Sequence, residues 1–174
     1  TASMGLFAAV AIILGYIEPR LPVFTGIPGV KLGLAKLVAV FLLYTFSWKE
    51  AAAVSLIRIL VIGFLFGNLF SILFSLAGAA VSLASMALLK KVSGISAAGV
   101  SIAGGVSHNL GQILVAAAVL ENRNLLLYYF PALLIAGLVT GLLIGILSAE
   151  VEVVACQILD RSDTGLILLQ HEAL

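Results

Sequence analysis

Apolar residues run through this chain in blocks rather than in alternating stripes. Six blocks, at roughly 4–17, 30–47, 50–67, 70–89, 97–120 and 126–149, approach the ~20 residues (about 17–25) that a helix needs to cross the hydrocarbon core of a bilayer. The first is short. Its connection to the second, Glu18-Pro-Arg-Leu-Pro-Val-Phe-Thr-Gly-Ile-Pro-Gly29, holds three of the four prolines. Proline lacks a backbone donor and pushes its predecessor out of helix, so this stretch reads as a non-helical loop. Polar breaks follow at Trp48-Lys49-Glu50, Gly67-Asn68, Lys90-Lys91 with Ser93-Gly94, and Glu121-Asn122-Arg123-Asn124. Ten-residue alternation is absent from the pattern, which excludes a β-barrel reading. The pattern predicts an all-α, polytopic membrane protein: a six-helix transmembrane domain over residues 1–149 and a polar, acidic tail over 150–174.

Composition strengthens this picture. Of 174 residues, 63% are apolar and 10% charged, against about 25% charged in a soluble domain, and the mean hydropathy is +1.26. So few ionisable groups cannot clothe a water-facing surface, so a nucleic-acid module, a disordered tail and a secreted disulfide scaffold are excluded. Cys156 is the single cysteine, leaving no internal disulfide and no cysteine-based metal site. The first block has no basic flank and no small-residue cleavage site before Glu18-Pro19, so it reads as a retained helix, with Met4 as the natural start.

Charge adds orientation and a hint of partner. Five of the eight acids (Glu150, Glu152, Asp160, Asp163, Glu172) fall in the last 25 residues, so residues 1–149 hold eight Lys/Arg against three Glu. A cationic body favours anionic headgroups or an anionic ligand. Six helices put both termini on one side. With that side cytoplasmic, Lys49, Lys90 and Lys91 lie inside against Arg20 and Arg123 outside, in keeping with the positive-inside rule. The tail then extends into the cytoplasm from a multi-pass protein of the plasma membrane.

Polar residues within the blocks are the candidate chemistry. Arg58 sits near the middle of the third, where a charge costs at least ~2.5 kcal/mol unless it meets protein, water or a counter-ion. Glu18, outside the tail the only acid expected near the outer half of the membrane, is the candidate for an internal pair, and ligand binding is also compatible. In the fifth block, Gly104, His108 and Gln112 share one helix face, with Asn109 about 100° round from His108. Polar side chains clustered as in Ser107-His108-Asn109-Leu110-Gly111-Gln112 are expensive without partners or a cavity. Lys31 follows the Pro/Gly loop at an expected helix N-terminus, a place that favours anions. Lys36 is expected to snorkel to headgroups instead. Together Lys31, Arg58 and His108 suit an acidic or phosphorylated small molecule.

Small residues form rows. Gly137-xxx-Gly141-xxx-Gly145 and Gly99-xxx-Ala103-xxx-Ser107-xxx-Gly111 read as tight helix packing within one bundle rather than dimerisation. Gly5/Ala9 and Ala11/Gly15 on the first helix could receive a partner helix. The sequence has no P-loop, HExxH, Cys/His metal set or Gly-x-Ser-x-Gly elbow, so neither a cofactor nor a metal is expected and no catalytic residue is assigned.

Five blocks in order, Gly15-Tyr16-Ile17-Glu18, Pro28-Gly29-Val30-Lys31-Leu32-Gly33-Leu34-Ala35, Leu56-Ile57-Arg58, Ser75-Leu76-Ala77-Gly78 and His108-Asn109-Leu110-Gly111-Gln112, resemble the heptaprenyl diphosphate synthase component I family, also called the Gx transporter family. The resemblance covers about residues 5–148. Lys36 departs from it, standing where the family is expected to have asparagine. That family is in turn similar to the substrate-binding S components of energy-coupling factor (ECF) transporters. The likeness implies six helices and a ligand pocket near the extracellular side, covered by the loop after the first helix. It also implies docking, through the small residues of that helix, onto a coupling subunit driven by two ATPases.

The leading expectation is therefore a membrane binding and transport subunit for a small anionic or amphipathic metabolite, with Glu18, Lys31, Arg58, His108, Asn109 and Gln112 lining or bracing the pocket. The alternative is a non-catalytic membrane partner of a prenyl diphosphate synthase in isoprenoid-quinone synthesis. Catalysis by this chain alone is not expected. Diphosphate chemistry needs clustered aspartates to hold Mg²⁺, and Asp160 and Asp163 stand isolated in the tail.

Overall fold

The computed structural model describes residues 2–20, 33–121, 124 and 128–172, with the backbone alone for most of the stretch after Val151. The described residues are helical, with no strand among them. Among the described residues six helices follow one another: α1 (Ala2–Ile17), α2 (Leu34–Thr45), α3 (Trp48–Phe66), α4 (Leu69–Leu89), α5 (Ala97–Val119) and α6 (Phe130–Glu172). A single 3₁₀ turn, Glu18–Arg20, extends α1. The expected six-helix, all-α architecture is what forms.

Local sequence explains the boundaries. Ser47 caps α3, accepting from Lys49 N–H, and its hydroxyl donates to the Glu50 carboxylate three residues on, so both members of an S-x-x-E pair are engaged. Asn68 caps α4 by accepting from Ser71 N–H at 2.8 Å, and Ser96 caps α5 through Gly99 N–H at 3.2 Å. Helix α2 begins at Leu34, later than the hydrophobic pattern suggests. Gly33 before it takes a left-handed φ of 79°, a conformation open to glycine at no steric cost. Arg20 closes α1, donating to Tyr16 O at 2.9 Å while stacking on the Tyr16 ring.

Packing closes the helices into a ring. Helices α2, α3, α4, α5 and α6 each touch the next, α6 returns to α2, and α1 lies against α2 and α3. The helices run up and down. The end of α1 meets the end of α3 (Tyr16 and Phe66 rings 4.6 Å apart), while its beginning meets the end of α2 (Phe7 and Phe41, 5.6 Å). Lys90 at the end of α4 donates to Leu43 O at the end of α2, satisfying a carbonyl that the helix itself leaves open. The core draws on all six helices, with Ala11 of α1, Val40, Leu42 and Leu43 of α2, Val54 of α3, Met86 of α4, Val100 of α5 and Ile144 of α6.

Glycine sets the closest approaches. A Cβ on Gly105 would stand 2.3 Å from Gly137 O, and on Gly141 2.7 Å from the Ile102 Cα, so α5 and α6 meet backbone to backbone. Of the row expected on α5, Gly111 faces α4 at Ala77, whereas a Cβ on Gly99 would meet only its own neighbours Ile95 and Ser96; Gly105, outside that row, is the residue that faces α6.

Helices α4 and α5 and the Phe130–Val151 part of α6 are long and apolar enough to cross a membrane. Helices α1 and α2 are shorter, and α3 carries Lys49, Glu50 and Arg58. The polar segment from residue 150 is no separate element at the backbone level, since α6 continues through it without a break to Glu172.

Candidate functional site

Three adjoining cavities open inside the ring, of about 70, 50 and 20 Å³. Each exceeds the roughly 10–15 Å³ that one water needs. Arg58 of α3 lines all three. The middle cavity is bounded by Glu18, Gly33, Lys36, Ser75, Asn109 and Gln112 together with Arg58 and His108, so five helices or their ends contribute to it. The largest adds an apolar wall from Ile59, Ile62 and Gly63 beside Ser71 and Ser75.

Each polar side chain is held in place. Glu18 is only 7% exposed. Its Oε1 accepts the Gly33 N–H at 2.5 Å, tying the end of α1 to the start of α2. Helix α2 has 12 residues and spans about 18 Å at 1.5 Å per residue. Irregular backbone ahead of so short a helix is tolerated where it lines a cavity and its N–H finds a partner, and Gly33 meets both conditions. Lys36 lies in the first turn of α2 and folds back beside Gly33, with its Cδ 3.2 Å from where a Gly33 Cβ would be. The stem of Arg58 passes Gly15 of α1, 3.6 Å from the corresponding position. Glu18 attracts both cations, and the two cations repel each other.

Helix α5 supplies the opposite wall. Gly78 of α4 makes room for His108 and Gln112, whose side-chain atoms lie 2.9 Å from where its Cβ would stand. Asn109 donates from Nδ2 to Leu133 O at 2.7 Å, and Gly137 leaves space for that amide. Its donor is thus engaged in joining α5 to α6, the bracing role, while its side chain still borders the cavity.

The structure brings Glu18, Arg58, His108, Asn109 and Gln112 together, while Lys31 lies outside the described residues. Lys36 corrects the sequence expectation: it lines two of the cavities beside Arg58 and His108 instead of reaching for headgroups. Its nearness to a helix start hid this, because a lysine at that place reads as a snorkelling residue until neighbouring helices are positioned around it. The small residues of α1 also separate. Ala11 is 1% exposed in the core, and a Cβ on Gly15 would meet Ile62 Cδ1 at 2.6 Å, so this pair faces inward and is not available to another chain. Gly5 and Ala9 remain on an exposed face, with nothing within 4 Å of a Gly5 Cβ. Among the described residues no group of three His, Cys, Asp or Glu could hold a metal.

No curated protein and no solved structure matches the chain. Residues 7–151, a span that contains all of these cavity-lining side chains, match the family described as heptaprenyl diphosphate synthase component I, and the chain belongs to that family.

Proposed function

We infer that the chain is a membrane-embedded, non-catalytic subunit that binds a small anionic or amphipathic metabolite in the cavity around Arg58. The observation that carries this reading is the convergence of Lys36 and Arg58 on one enclosed space in an otherwise apolar bundle. A cation at such depth costs about 2.5–3.5 kcal/mol on insertion scales, and the single Glu18 carboxylate offsets only one of the two. An anionic occupant supplies the missing charge, and Ser75, His108 and Gln112 border the same space. The apolar wall of Ile59 and Ile62 in the adjoining cavity suits an apolar portion of the same molecule. Transport driven by a coupling subunit and two ATPases is the extension of this reading, for which Gly5 and Ala9 offer an exposed small-residue face.

The test is native mass spectrometry of the chain purified in mild detergent. A bound small molecule is expected on the wild type and lost in Arg58→Gln, with the thermal unfolding midpoint kept within a few degrees. Unfolding of the variant together with an unliganded wild type would instead make Arg58 a structural residue.

The family description favours a second reading, a membrane partner of a prenyl diphosphate synthase. Mass spectrometry of proteins co-purified from native membranes separates the two. A soluble synthase supports the partner role, whereas two ATPases with a membrane coupling protein support transport.

A further inference from the structure

Charge within the cavity is unequal, and that inequality specifies the occupant more closely than the word anionic does. Three charged side chains among the described residues border it: Lys36 on α2, Arg58 on α3 and Glu18 on the turn after α1. Helix α4 contributes only the neutral Ser75, and α5 contributes His108, Asn109 and Gln112. Glu18 is not free to swing away, because its carboxylate is bound to the Gly33 backbone and nearly buried. It is therefore a fixed negative charge beside two positive ones, and the described side chains leave one unit of positive charge for a guest.

We propose that Lys36 and Arg58 hold the anionic head of the ligand and that Glu18 restricts that head to a single negative charge, a carboxylate or phosphodiester in place of a phosphomonoester or diphosphate. This rests on the reading of the cavity as a ligand site. A second negative charge on the head would face Glu18 across the cavity, where like charges repel. A singly charged head brings the group to neutrality and leaves both cations paired. The remaining wall of Ile59, Ile62 and Gly63 accepts an apolar substituent of modest size.

The experiment compares two probes with the same hexyl tail, differing by one methyl ester on the head, on the full chain in lipid nanodiscs at neutral pH, by titration calorimetry. Hexyl methyl phosphate carries one charge. Hexyl phosphate carries close to two there, since its second pKa lies near 6. The wild type is expected to bind the diester up to about tenfold more tightly, the ceiling set by protonation of the monoester to its monoanion and equal to about 1.4 kcal/mol. Glu18→Gln keeps an acceptor for the Gly33 N–H but removes the charge, and is expected to erase or invert the preference. Lys36→Met is expected to weaken the diester by about tenfold or more, the loss typical of a charge-assisted hydrogen bond. Tighter binding of the monoester by the wild type, or an unchanged ratio in Glu18→Gln, would overturn the single-charge rule while leaving the site standing. Failure of both probes to bind the wild type and Glu18→Gln alike, at millimolar concentration, would overturn the ligand site and the charge rule with it.

Discussion

Arg58 is the residue on which the interior converges, and its position depends on residues with no side chain at all. Gly15 lets its stem pass along α1, while Gly78 lets His108 and Gln112 lean toward it from α5. Adding one methyl at Gly78 puts a carbon 2.9 Å from the imidazole. Because the obstructing atoms are side chain and not backbone, Gly78→Ala is expected to cost about 1 kcal/mol or less in stability. It is expected to weaken ligand binding about tenfold by displacing the ring, a change of about 1.4 kcal/mol. Imidazole NMR shifts and calorimetry would check the two halves of that statement. At this scale polarity that conflicts with its surroundings is legible in the sequence: Arg58, His108 and Gln112 stand out because no apolar helix needs them, and they border one cavity. Sequence reading missed Lys36, whose conflict was hidden by its nearness to a helix start. It could not separate Gly5/Ala9 from Ala11/Gly15, since identical spacing serves an exposed face and a buried one equally well.

Helices are where the sequence was most legible. The expected blocks coincide with the observed helices to within a few residues, because Ser47, Asn68 and Ser96 are cap residues by chemistry and the polar breaks have nowhere else to go. The exceptions have physical causes, namely the left-handed Gly33 ahead of α2 and the unbroken continuation of α6 beyond residue 150. Ser47→Ala removes the cap of α3 and is expected to lower stability by about 1 kcal/mol, within the usual 0.5–2 range, read as a lower thermal midpoint. Lys90→Met frees Leu43 O at the end of α2 and is expected to cost about 1 kcal/mol. Its effect should add to that of Ser47→Ala if the two ends act independently, which a double-mutant comparison measures. Glycine contacts between helices give a sharper contrast. Gly105→Ala drives a carbon to 2.3 Å from Gly137 O, a backbone atom that cannot rotate away, and is expected to cost at least about 1–3 kcal/mol. Gly5→Ala meets nothing and is expected to leave the midpoint unchanged.

For the whole molecule, the ring of α2 to α6 with α1 laid against it could not have been read from the sequence. Periodicity names the segments, but partner choice depends on which glycines face which backbone. Gly105, Gly104 and Gly111 look alike in one dimension and point to different neighbours in three. Phe64, Leu65, Phe66, Leu69 and Phe70 are all exposed around the turn between α3 and α4. Such a surface is at home against lipid and not in water. The chain is accordingly expected to stay in the membrane pellet after alkaline carbonate washing, a fractionation that a peripheral protein would not survive. One further consequence lies in α6. Its 43 residues form a rod about 64 Å long at 1.5 Å per residue, of which Phe130–Val151 is the apolar span. The other 21 residues reach about 30 Å further as continuous helix. That part is a lever arm whose fulcrum is the glycine contact with α5. From the Gly141 contact to Glu172 the arm is about 46 Å, and a rocking of about ten degrees at the fulcrum carries the far tip through about 8 Å, so a small re-seating inside the bundle becomes a large displacement at its end.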